Sequence, residues 1–196
     1  DNELQELIDQ AKANNETEVV LEHDYVFQDG DEVVTIPENM TIKGNDHTID
    51  ANNQSGIFNI SGNNVAIENV TLTGANGTAV NAIADNFTVD SITLTNNTGT
   101  GINVVGNNAT IAGVVANNQT GTTVNVAGDD ATVSDVTVNG GEGTGVAITG
   151  DNANITNVDL DARDGDGVVI TGNNASVEAV NAFNGTGDAV SVKGND

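Results

Sequence analysis

The chain has 196 residues, no Cys, and a formal net charge of -25, with four Lys+Arg against 29 Asp+Glu. That balance excludes nucleic acid as a partner, because phosphate binding needs a basic footprint, and it disfavours anionic membrane surfaces. Without Cys there is neither a disulfide framework nor a thiolate metal site, and no apolar run approaches the ~18 residues of a membrane span. Cations are the expected small partners, and salt should relieve the self-repulsion of so acidic a chain.

Beginning at Asp1 rather than Met, the chain reads as a processed or excised product. Residues 1–18 form an N-terminal cap, with a helix predicted over 2–14. Asn2 suits the N-cap, Glu3 and Glu6 suit the first turn, and Leu4, Leu7, Ile8 and Ala11 share one face. Such a helix would cover the first coil of whatever follows. Residues 19–61 read as irregular first coils. Strand-like runs fall at Val19–Leu21, Tyr25–Phe27 and Val33–Ile36, and Ile42, Ile49, Ile57 and Ile60 supply inward positions. Most of the aromatics lie in this half of the chain, which predicts a bulkier core there.

Residues 62–193 are one 22-residue sentence written six times, starting at Gly62, Ala84, Gly106, Gly128, Gly150 and Gly172. A fixed period of this size signals a repeat architecture. Within each repeat three apolar pairs are spaced by two residues, as in Val65/Ile67, Val70/Leu72 and Val80/Ala82, and that spacing is strand alternation. Three short strands per repeat describe one coil of a parallel β-helix. The expected fold is therefore all-β, a right-handed parallel β-helix (solenoid) of 22-residue coils with an N-terminal capping α-helix. The sixteenth position is Gly throughout, from Gly77 to Gly187, as a tight turn requires. The third is Asn64, Asn86, Asn108, Asp130, Asn152 and Asn174, an expected amide ladder inside a turn. Residues 194–196 start a further coil, expected to be uncapped and to stack end to end on another copy.

The repeat Gly-Asn-Asn-Ala-Thr-Ile at 106–111, with its Asn-Gly-Thr-Gly turns, resembles right-handed parallel β-helix proteins of the pectate-lyase-like superfamily. Together with Met40–Asn53 and Gly56–Ile60 it is similar to the Asn-rich adhesin-like and surface-layer-type proteins of archaea. The resemblance spans nearly the whole chain. It implies an extracellular, non-enzymatic structural or adhesive protein whose partners are itself or cell-surface glycans. The alternative is a carbohydrate-binding or lyase-like β-helix, since one fold hosts many activities.

A lyase would need carboxylates holding Ca²⁺ beside a cationic base. Arg163 is the only Arg, and Glu142 and Asp188 align with its turn one coil before and one coil after. Without catalysis, Glu142, Asp164, Asp166 and Asp188 could still hold Ca²⁺ through hard oxygens. His23 and His47 lie near the cap, far from those turns, so a hydrolase reading is weaker. Rows of Thr (Thr71/Thr73 and Thr93/Thr95) break at Val115, which argues against a flat ice-binding array. Asn-x-Ser/Thr sequons begin at Asn15, Asn39, Asn53, Asn59, Asn69, Asn76, Asn96, Asn118, Asn154 and Asn184, the expected glycosylation sites. Asn86, Asn108 and Asn174 also begin sequons, but the internal ladder is expected to hide them.

Overall fold

The structure, a computed structural model, describes residues 2–195. The expectations touching Asp1 and Asp196 lie outside the described residues. Helix α1 (Glu3–Ala13) opens the chain, followed by β1 (Glu18–Val20), β2 (Tyr25–Val26), β3 (Val34–Ile36), β4 (Thr41–Asp50) and β5 (Phe58–Ile60). From there long and short strands alternate: β6 (Ala66–Thr73), β7 (Val80–Ile83), β8 (Thr88–Thr95), β9 (Ile102–Val105), β10 (Thr110–Asn117) and β11 (Val124–Ala127). The pattern continues through β12 (Thr132–Asn139), β13 (Val146–Thr149), β14 (Asn154–Asp161), β15 (Val168–Thr171), β16 (Ser176–Phe183) and β17 (Val190–Lys193).

The long strands stack into one parallel sheet in the order β1-β4-β6-β8-β10-β12-β14-β16, and the short ones into a second from β3 to β17. Registers advance by one repeat per rung: Ile111 pairs with Val89 below it and Val133 above. The protein is thus an all-β parallel β-solenoid of about eight coils with one helix among the described residues. The strands of segment 19–61 continue both sheets. Its coils depart from the 22-residue period: Val34 pairs with Phe58 and Thr41 with Ala66, β1 and β2 both pair with β4, and β4 carries a register shift between Lys43 and His47, where Asn45 and Asp46 take positive φ.

Three strands per coil were expected; the first two run as one strand bent at a corner. The corner residue takes left-handed φ in every repeat: Asn69, Ser91, Gly113, Asp135, Asn157 and Ala179. Left-handed residues also recur five positions before and five after, as at Asn64 and Gly74 or Asn86 and Asn96. Asn is the side chain that tolerates this conformation best after Gly, because its short polar group bonds locally. Left-handed corners at these three positions therefore account for much of the Asn in the repeats.

Inward columns are dry: Ile67, Val89, Ile111, Val133 and Ile155 are fully buried. Each such side chain stabilises the fold by roughly 1.5–3 kcal/mol relative to exposure. The bulkier N-terminal core is present, with Phe27, Phe58 and Phe87 among the largest buried side chains. Asn2 caps α1 as expected, its Oδ1 accepting from the N–H groups of Leu4 and Gln5. Leu4, Ile8 and Ala11 are buried against the first coil.

Candidate functional site

The turn carrying Arg163 is where the sequence concentrates charge. Arg163 belongs to an inward-facing column that also holds Ala75, Asn97, Gln119, Gly141 and Gly185, one residue per coil. Asn97, Gln119 and Arg163 are buried polar residues in an otherwise apolar interior, and Arg163 is only 3% exposed. Arg163 is therefore neither an accessible base, as the lyase alternative needs, nor a solvated turn residue: the side chain folds back under the preceding coils. Nε donates to Gly143 O at 2.6 Å. Nη2 reaches Gly121 O and Glu142 O at 2.6 Å and Thr144 O at 3.1 Å, and Nη1 reaches Gly140 O at 3.4 Å. One guanidinium thus ties three successive coils together through their turn carbonyls.

Gly141 makes the space. A Cβ there would stand 2.3 Å from Gln119 O and 3.2 Å from Arg163 Nη1. Among the described residues no carboxylate forms an ion pair with Arg163. Burial pushes its pKa down to about 10, so the group stays charged at neutral pH. Below it, Gln119 Oε1 accepts from Asn97 Nδ2 at 2.9 Å, while Gln119 Nε2 and Thr123 Oγ1 have no hydrogen-bond partner among the described residues. This polar seam was not foreseen, although its one-per-coil spacing was readable.

The four candidate calcium ligands do not converge. Glu142, Asp164 and Thr186 stack in parallel register, one above another. Asp164 Oδ1 accepts from Thr186 Oγ1, and Asp166 Oδ1 accepts from the Asp188 N–H at 2.8 Å. Their oxygens thus bond along the rod axis, and among the described residues no three acidic or imidazole groups are placed to share a metal. A pocket of about 120 Å³ beside them is lined by Leu160, Arg163, Phe183 and Asp188.

Two side-chain ladders run along the outside. In the second column, the Oδ1 of each Asn or Asp accepts the backbone N–H one coil on. The bonds run from Asn63 through Asp85, Asn107, Asp129, Asp151 and Asn173 to Asn195, at 2.8–2.9 Å. Either residue serves because only the oxygen is used. In the third column amides bond to each other, as in Asn86 Nδ2 to Asn64 Oδ1 at 3.1 Å. That ladder was expected to be internal. It lies on the surface, with Asn64, Asn86, Asn108 and Asn174 exposed, because left-handed φ turns the side chain outward.

All the sequon asparagines, Asn86, Asn108 and Asn174 included, are consequently exposed. All but Asn59, Asn76 and Asn154 also have left-handed φ. A corner Asn followed two residues later by an outward hydroxyl spells a sequon, so much of the excess has a structural origin. His23 and His47 sit at the cap, where they meet Glu3 at 3.3 Å and Asp24 at 3.1 Å. The Thr48 N–H and the His47 side chain hold the Asp24 carboxyl below its usual value.

No protein-family model matches the chain, and no protein of curated function does. Among solved structures it is similar to the Streptococcus pneumoniae surface protein and adhesin PfbA, at 12% identity over 96% of this chain and 94% of that one, with a TM-score of 0.34. It is also similar to the A-module of the Azotobacter vinelandii mannuronan C-5 epimerase AlgE4, at 13% identity over 97% and 90%, with a TM-score of 0.31. Likeness at this level carries no function. No described helix is long and apolar enough to cross a membrane.

Proposed function

We propose that this protein is a non-enzymatic, extracellular structural or adhesive rod that presents rows of Asn, Thr and Asp at intervals of about 4.8 Å. The observation that carries this reading is the burial of Arg163. A lyase would need that side chain free as base, and here it is committed to the carbonyls of Gly121, Glu142 and Gly143. The outer ladders are likewise occupied, one column accepting from backbone N–H groups and the other bonding side chain to side chain. The Asn-rich archaeal surface-layer part of the reading rests on sequence resemblance alone, since left-handed corners explain much of the Asn.

Glycosylation and cation binding extend the proposal. Every sequon Asn is exposed, although Asn86, Asn174 and Asn184 already donate Nδ2 to a neighbouring coil and would have to release it to carry a glycan, and the carboxylates of Glu142, Asp164, Asp166 and Asp188 form a diffuse Ca²⁺ sink rather than one closed site. The main test is to incubate the full chain with a panel of acidic polysaccharides and record unsaturated product by its ultraviolet absorbance. No turnover is expected, with retention on immobilised surface glycans. Turnover by the unaltered protein overturns the non-enzymatic reading. Melting in matched NaCl and CaCl₂ separates the cation proposal: a gain with ionic strength alone means screening, and an added gain with Ca²⁺ means binding.

A further inference from the structure

The outward faces of the solenoid differ in charge. Along the first half of the long strands the outward residues include Glu68, Asp90 and Glu178, and along the second half Asp50, Asp159 and Asp161. The short-strand sheet from β5 to β15 presents no charged residue at all. One outward rank is Asn59, Asn81, Asn103, Asn125, Ala147 and Val169. The rank beside it is Ile83, Val105, Ala127, Thr149 and Thr171. On a chain of charge -25 this is the face that two copies could share without opposing carboxylates.

Its chemistry favours a dry contact. Ile83 is 59% exposed and Val105 45%, side by side on paired strands. The neighbouring amides are already bonded to each other: Asn103 Nδ2 donates to Asn81 Oδ1 at 2.9 Å, and Asn125 Nδ2 to Asn103 Oδ1 at 2.8 Å. Amides satisfied within the rank give up little to water when covered, and they have less to offer a hydroxyl-rich ligand. Depletion of charge at the centre is the compositional mark of protein interfaces, whereas like charges brought face to face are strongly unfavourable.

We propose that this face pairs two copies of the chain side by side, as a two-fold symmetric dimer with Val105 near its centre. The pairing is lateral, unlike end-to-end stacking, and goes beyond the adhesive reading without depending on it. Six strands at ~4.8 Å spacing and four residues at ~3.3 Å give a face of roughly 400 Å² per copy. That is about half of the ~800 Å² a standard interface takes from each partner, so the dimer is weak and concentration-dependent.

Sedimentation equilibrium of the full chain, across protein concentrations and at low and high NaCl, tests this. A monomer–dimer equilibrium strengthened by salt is expected, because screening reduces repulsion between the two acidic bodies. Val105→Asp and Val105→Lys should each weaken association roughly tenfold or more, by placing like charges near the two-fold axis. An equimolar mixture of the two variants should restore it. Val115→Asp, on a long-strand face and 38% exposed in the parent, should leave association unchanged. Both sites are solvent-exposed, and circular dichroism melting checks that the three variants fold. A monomer at every concentration and salt level overturns the proposal. So does association insensitive to Val105→Asp, or equally sensitive to Val115→Asp. A wild-type monomer that binds neutral polysaccharide, and loses it with Val105→Asp, also overturns it and assigns the face to a glycan.

Discussion

Replacing Arg163 by Ala should unfasten the coils on either side of it. Three of its contacts are 2.6 Å long, to Gly121 O, Glu142 O and Gly143 O. Bonds from a charged donor contribute about 1.5–3 kcal/mol each, so these three give about 5–9 kcal/mol gross. Against them stands the desolvation that pushes the pKa down to about 10, a cost of about 3 kcal/mol. A net loss of about 2–6 kcal/mol is therefore expected for Arg163→Ala. In a solenoid, where each coil contacts only its neighbours, that loss should be local. Hydrogen exchange read by mass spectrometry should show lost protection over residues 119–186, with β6 and β8 unchanged, and calorimetry should show an early separate transition. Arg163→Lys should rescue little, since one ammonium lacks the planar fork that spans three coils. A loss below about 1 kcal/mol with unchanged exchange would refute the staple, and would mean that water satisfies these carbonyls as well as the guanidinium does.

The corner chemistry separates Asn96→Gly from Asn96→Ala. Gly should be nearly neutral and Ala should cost about 1 kcal/mol in urea melts, because Asn96 has φ +56°; equal costs would detach the Asn content from the corners. In the outer ladder, Asn107→Asp should be tolerated and Asn107→Ala should cost about 1 kcal/mol, since Oδ1 accepts from the Asp129 N–H at 2.9 Å. Gly141→Ala should destabilise the same coils as Arg163→Ala, and the double variant should lose less than the two separately; strict additivity would show that Gly141 does not make room for Arg163. Asp24 has a pKa lowered from 3.8 by the Thr48 N–H and by His47, so its stabilisation is present above that value and lost as pH falls through the folded pKa. Asp24→Asn should flatten the acid side of the pH–stability curve below about pH 4, and an unchanged curve would mean that the interaction adds nothing.

The period and the apolar pairs made the fold legible before any coordinates. A solenoid repeats one local environment, so each column of Val or Ile reports the same inward position six times over, and the cap helix declared itself through Asn2 and the Leu4–Ala11 face. The candidate site was less legible, because it depends on where a side chain goes after leaving the backbone. Nothing in Asp161-Ala-Arg-Asp-Gly says that Arg163 points inward. That depends on Gly141, one coil away, having no Cβ, and on carbonyls of Gly121, Glu142 and Gly143 facing the same gap. Likewise the Asn column was visible as a ladder, but its position outside rather than inside follows from the sign of φ at each corner. The coil, its length and its core can be read from residue order, because they follow from periodicity repeated along the chain. Which polar residues are buried and which sequons are exposed cannot, because these depend on contacts between coils 22 or more residues apart.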